Sequence, residues 1–186
     1  MDDQKIIELY FQRSEDAIAE TDKKYGSYCF SIARNILADR EDAKETVNDT
    51  YAACWKAIPP HRPNSLSAFL GKITRCISLN RYQASHTAKR GGGQVTLALE
   101  ELSECIPARQ NVESAMAEKE LSKMLNAFVR KLPENERKVF LCRYWYLEPI
   151  AVIAKRFAFS ESKVKSMLFR IRNKLRAELE KEGIVV

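Results

Sequence analysis

Between Thr50 and Leu99 the chain has no aspartate and no glutamate, yet it carries seven lysines and arginines there. A solvated surface that long normally mixes both signs, so the missing acid points to nucleic acid as a partner. Histidine is also scarce. His61 and His86 are the only two, and neither has metal-ligating residues at a useful spacing. The five cysteines, Cys29, Cys54, Cys76, Cys105 and Cys142, are odd in number and form no CxxC pair. That argues against a disulfide framework or a zinc site and for buried free thiols. There is no GxxxxGK phosphate loop and no GxSxG elbow. Apolar runs are too short to span a bilayer. The opening MDDQKIIELYFQ is acidic and amphipathic, unlike a signal peptide. These absences leave no enzymatic constellation, no metal or other cofactor and no membrane insertion, and they imply a cytoplasmic protein.

The charge that is present is sorted along the chain. The formal net charge of the 186 residues is +6. Residues 1–49 are net −5, residues 100–122 net −4, and residues 123–186 net +8. Two basic blocks are thus separated by an acidic spacer and preceded by an acidic block. Two nucleic-acid contacts, with basic partners for the acidic blocks, account for this order.

Almost every segment reads as helix. Ile6 to Ile18 forms a first amphipathic stretch, and Tyr25 to Leu37 a second with Cys29, Ile32, Ala33 and Ile36 on one face. Asp39 is placed to cap a third, buried along Ala43, Val47, Tyr51, Cys54 and Ile58. Pro59, Pro60 and Pro63 break the chain into a rigid loop. A fourth helix runs from Leu66 to about Ser85, with Leu66, Leu70, Ile73 and Ile77 expected inward. Gly91, Gly92 and Gly93 mark a tether. The following VTLALEELSECIP fits either an extended segment or a short helix. A second helical unit then leads through Leu121, Leu125, Phe128 and Leu132 to a helix opened by Pro133. The expected architecture is all-α: two small helical domains, 1–90 and 116–186, joined by a flexible acidic linker over 91–115.

Three faces stand out. The last helix carries an apolar stripe, Val164, Leu168, Ile171, Leu175 and Leu179. At roughly 100° per residue, Ser162, Ser166, Phe169 and Asn173 fall opposite that stripe. Lys163, Lys165, Arg170 and Arg176 flank them. Small polar groups between two rows of cations suit base edges between phosphate rails. Ser160 is a natural N-cap, and Ile150 to Phe157 supplies a preceding short helix, so the pair reads as a helix-turn-helix. On the third helix, Asp42, Glu45 and Asp49 form an acidic ridge that would repel phosphate and suits a basic protein. On the fourth, Arg75, Ser78, Tyr82 and His86 are expected outward, with Lys72 and Arg81 beside them. Cations interleaved with an aromatic ring suit single-stranded DNA, and the loop His61 to Ser67 could wall an extruded base. Each face alone also fits a solvated helix. Trp55 is expected in the core.

The residues SIARNILADREDAKETVNDTYAACWKAI and SAFLGKITRCISLNRYQ resemble region 2 of the extracytoplasmic-function (ECF) group of sigma-70 family factors of bacterial RNA polymerase. LPENERKVFLCRYWYLEPIAVIAKRFAFSESKVKSMLFRIRNKL resembles region 4 of the same family. The resemblance implies that the helix matching Asp42 to Trp55 binds the polymerase beta-prime clamp helices through Asp42, Glu45, Asn48 and Asp49. It implies that Arg75, Asn80, Arg81 and Tyr82 read and melt the minus-ten promoter element. It places Ser162, Lys163, Lys165, Ser166, Phe169 and Arg170 in the major groove of the minus-thirty-five element. The linker would thread toward the polymerase cleft, region 4 would meet the beta flap, and an anti-sigma factor is a further expected partner. The sequence departs from the family at Cys76 and Asn80, where Asn and Asp are common. Val152 replaces the usual Glu of an EIA triplet, and Ala158 the turn glycine. Phe169 stands where a polar residue is common, and it fits either a thymine methyl or the flap.

The function expected is promoter-directed transcription initiation, without catalysis by the chain itself. The competing expectation is a stand-alone helix-turn-helix regulator that binds duplex DNA alone as a dimer.

Overall fold

The computed structural model describes residues 1–86, 94–105 and 115–182. The glycine triplet Gly91 to Gly93 and the stretch 106–114 of the expected linker lie outside the described residues. The described residues are helical with no strand, and the chain divides into two compact units, Met1–Gly91 and Gly92–Val186. The fold class is all-α, as the helical periodicity implies.

The first unit contains α1 (Asp3–Phe11), α2 (Asp16–Leu37), α3 (Arg40–Ala57) and α4 (Leu66–His86). The stretch expected as one helix from Ile6 to Ile18 is two. Arg13 adopts a left-handed conformation, φ 57°, and breaks it. The turn is held from outside, because the Arg13 guanidinium donates to the Trp55 carbonyl at 2.6 Å and lies over the Trp55 ring. The second helix begins at Asp16, well before the expected Tyr25. Asp39 caps α3 as expected, its carboxylate accepting from the Glu41 and Asp42 amides at 2.8 and 3.0 Å. These two bonds hold its carboxyl below the usual carboxylate range.

Ile6, Ile7, Tyr10, Ala17, Cys29, Cys54, Ile58, Leu66 and Leu70 are buried together. A Cβ at Gly71 would collide with the Tyr28 hydroxyl, so glycine allows α2 and α4 to approach closely there. Four of the five cysteines are buried thiols, while Cys76 is exposed. Burial pushes the Cys54 thiol up to about 11, which leaves it inert at neutral pH.

One expectation about α4 is corrected. Its most buried line is Leu66, Leu70, Thr74, Ser78 and Tyr82, with Ile73 and Ile77 only half-buried. Ser78 and Tyr82 therefore point inward, not outward. The reason lies in local hydrogen bonding. Thr74 and Ser78 donate to the carbonyls of Leu70 and Thr74, four residues back, and Thr50 of α3 donates to Thr74 at 3.2 Å. Hydroxyls satisfied in this way need no water, so they can fill a helix–helix seam.

The second unit contains α5 (Gln94–Ser103), α6 (Ala115–Lys131), α7 (Glu134–Phe140), a π-helical turn (Leu141–Trp145), α8 (Ile150–Phe157) and α9 (Glu161–Lys181). Of the two readings left open for VTLALEELSECIP, helix is the one adopted. Ten residues assigned to the flexible linker thus form α5, whose Val95 and Ala98 are buried. Pro133 opens α7, as its fixed φ and missing N–H favour. Ala158 takes the left-handed conformation, φ 53° and ψ 41°, that turns α8 into α9. Among the described residues, no helix is long and apolar enough to cross a membrane.

Candidate nucleic-acid and protein interfaces

Helix α9 separates its two faces cleanly. Val164, Leu168, Ile171, Leu175 and Leu179 are all essentially inaccessible. Ser162, Lys163, Lys165, Ser166, Phe169, Arg170 and Asn173 are exposed. The Ser160 hydroxyl accepts from the Lys163 amide at 3.1 Å, a cap that stabilises a helix end by about 1 kcal/mol. Lys163, Lys165, Ser166, Phe169 and Arg170 line one shallow open concavity of about 440 Å³. Five of the six residues assigned to minus-thirty-five contact therefore meet at one place, and Ser162 lies on the same exposed face.

The cations of α9 divide along its length. Further along the helix, Arg172 pairs with Glu101 at 3.6 Å, Lys174 with Glu136 at 3.0 Å and Arg176 with Glu180 at 3.9 Å. Among the described residues, Lys163, Lys165 and Arg170 pair with no carboxylate. Lys163 instead rests over the Phe159 ring, 3.8 Å from its centroid. The first half of the helix thus presents unneutralised charge around an aromatic ring that is 57 % exposed. That arrangement attracts a polyanion with an apolar spot between its charged rails.

Residues 122–175 match the family model described as Sigma-70, region 4. Over these residues the second unit is similar to a sigma-70 region 4 domain. The match runs from α6 through most of α9, so it contains the helix-turn-helix and the whole unpaired basic face. Sigma-70 region 4 is a DNA-binding regulatory module, not an enzyme family. No curated protein matches the chain.

The acidic ridge of the first unit is exposed at Asp42, Glu45 and Asn48 and half-exposed at Asp49. Between α2 and α3 runs an open groove of about 850 Å³, with Ile18, Tyr51 and Trp55 along it, Asp22 and Glu15 beside them and Asn48 at one edge. Trp55 is not wholly core. It packs edge-on against Tyr10, with centroids 6.1 Å apart, and also lines this groove.

Arg81 joins the ridge to α4. It donates to Glu45 at 2.8 Å and to Asp49 at 2.5 Å. The guanidinium holds the Glu45 carboxyl below the usual carboxylate range, and the two acids raise Arg81 in return. The sequence places these three residues on two different surfaces, and the structure brings them into one contact. Of the other residues assigned to the minus-ten element, Asn80 is exposed and Arg75 is half-buried. Burial lowers the Arg75 guanidinium. Tyr82 is only 8 % exposed, so it cannot offer a stacking surface in this conformation. In the loop, His61 stacks on Phe69 at 5.2 Å, and Arg62 lies over Phe11 and pairs with Glu8.

Sequence reasoning missed Glu101 and Arg143. Arg143 is completely buried, and Glu101 lies in the segment read as linker. Beside Glu100 in a Glu-rich stretch, Glu101 reads as a solvated linker acid and carries no signal that it has a buried partner 42 residues away.

Proposed function

We propose that this chain is a sigma factor of the ECF type, which binds core RNA polymerase and directs it to promoters. The observation that carries the reading is the unpaired basic face of α9 within a sigma-70 region 4 domain. Ser162, Lys163, Lys165, Ser166, Phe169 and Arg170 read the minus-thirty-five element from the major groove. Cations on the flanks engage phosphates, and the central residues meet base edges. The ridge Asp42, Glu45, Asn48 and Asp49 docks on the basic clamp helices of the beta-prime subunit, with the groove beside Asn48 taking apolar side chains. Arg75, Asn80 and Arg81 contact the minus-ten element and stabilise its unpaired strand. Holding unpaired bases shifts the DNA equilibrium toward the open state without any chemistry by the chain. An anti-sigma protein competes for the same surfaces.

The test is run-off transcription from genomic promoter fragments, starting with the chain's own upstream region. Discrete transcripts that need both core polymerase and this protein are expected. If transcripts are absent while the chain alone binds a specific duplex tightly, the stand-alone regulator replaces this reading.

A further inference from the structure

The acidic spacer looks in sequence like a solvated tether, but one of its carboxylates has several partners in the second unit. Glu101 of α5 receives the Arg143 guanidinium on both oxygens, Nη2 to Oε1 at 3.0 Å and Nε to Oε2 at 3.3 Å. The Tyr144 hydroxyl donates to Oε2 at 3.1 Å. Arg172 of α9 donates to the Tyr144 oxygen at 2.8 Å and lies 3.6 Å from the same carboxylate. Arg143 also donates to the Glu148 carbonyl, in the segment that leads into α8. Burial drives the Tyr144 phenol up to about 12, so it stays a neutral donor at any physiological pH.

We infer that Glu101 is a positioning residue for the α9 DNA-reading face, and that α5 is a fixed part of the DNA-binding unit. This rests on the proposed function of α9. A guanidinium with no exposed surface requires a counter-charge, and among the described residues Glu101 supplies one. The same carboxylate reaches α9 through Arg172, which follows Arg170 by two positions and Phe169 by three. Holding Arg172 against the π-helical turn adds a polar restraint to the rotation of α9 about its own axis, which its buried apolar stripe also sets. That rotation decides whether Phe169 and Ser166 or their neighbours face the groove. Val95, Ala98 and Cys105 are buried alongside, so α5 is held by apolar contact as well as by charge. The matched family segment begins at residue 122, so this anchor lies outside it.

The test uses the full chain with Glu101→Gln, Glu101→Ala and Glu101→Asp. Hydrogen exchange is measured on the free proteins. Binding is measured on holoenzymes assembled with core polymerase, using a duplex enriched from a random pool by the wild-type holoenzyme and a scrambled duplex of the same composition. With Glu101→Gln and Glu101→Ala, exchange should rise in 141–145 and in the first half of α9, and stay unchanged in α3. Affinity for the enriched duplex should fall several-fold while the scrambled duplex binds as before. Glu101→Asp should recover part of the loss. A purely structural role would lower both affinities together and overturn the inference. So would unchanged exchange in α9. Should the wild type enrich no duplex, the proposed function fails, and the exchange data still decide whether Glu101 anchors α9.

Discussion

Helix α9 presents Lys163, Lys165 and Arg170 with no carboxylate among the described residues paired to them, whereas α4 folds Arg81 onto Glu45 and Asp49 and buries Tyr82. Both helices belong to basic blocks, and both carry cations at helical spacing around an aromatic residue. They differ in what their neighbours offer. In the first unit the acid-free block packs on the acidic block, and two of its arginines are neutralised there, Arg81 by α3 and Arg62 by Glu8 of α1. Among the described residues of the second unit, the carboxylates pair only with the later part of α9. A charge sorted along the chain is therefore not a charge sorted over the surface. On the proposed reading, the face of α9 can meet DNA as folded. That of α4 has its most exposed arginine engaged, so it needs a rearrangement before it can hold a strand.

The largest effect should come from the unpaired cations. Lys165→Ala with Arg170→Ala should lower the slope of log affinity against log salt by about 2, since each phosphate contact contributes roughly 0.9. Lys174→Ala with Arg176→Ala removes the same charge from paired positions and should change the slope much less. Fluorescence anisotropy of the holoenzyme on a labelled minus-thirty-five duplex, titrated with salt, measures both. Equal slopes for the two double variants would erase the division along α9.

A smaller effect is expected from releasing Arg81. Glu45→Gln with Asp49→Asn should raise the affinity of the free chain for a labelled oligothymidine strand a few-fold, and adding Arg81→Ala should reverse it. Glu41→Gln with Asp42→Asn removes equal charge from the same helix without touching Arg81, and should do little. If the two pairs behave alike, Arg81 is not held in reserve. The pH dependence has a definite sign. The Glu45 pKa is depressed in the folded chain, so the contact is intact above the ordinary glutamate value of about 4.3 and is lost only as pH falls through the lowered one.

The helical class, the Asp39 and Ser160 caps, the apolar stripe of α9 and its exposed face were all legible from periodicity and end signals. These depend on residues within a turn or two of one another. What was not legible depends on partners far away in sequence. The break at Arg13 is held by Trp55, 42 residues on. The inward turn of Ser78 and Tyr82 requires hydroxyls on α3 and α4 to satisfy one another, and a polar residue by itself reads as surface. The docking of α5 requires Arg143, which no pattern marks as buried. The ridge and the α4 cations were found as residue types, but their mutual ion pair was not, because helical phase gives a face and not what that face meets.

The finest distinction concerns Phe169, the large apolar group at the centre of the unpaired basic face. Between two phosphate rails in the major groove, the apolar feature of a base edge is the thymine 5-methyl. Burying a methyl-sized group is worth about 0.8 kcal/mol, roughly a fourfold change in affinity. Replacing thymine by uracil, position by position, in the minus-thirty-five duplex should therefore cost the wild-type holoenzyme about that factor at one step. Phe169→Ala should bind the thymine and uracil duplexes equally. The salt slope should not move in either case, because no phosphate contact is lost. A uracil scan that is flat for the wild type would take Phe169 off the base edge and assign its exposed ring to a protein surface. In that case Phe169→Ala would weaken assembly with core polymerase, a loss that is independent of the DNA sequence supplied.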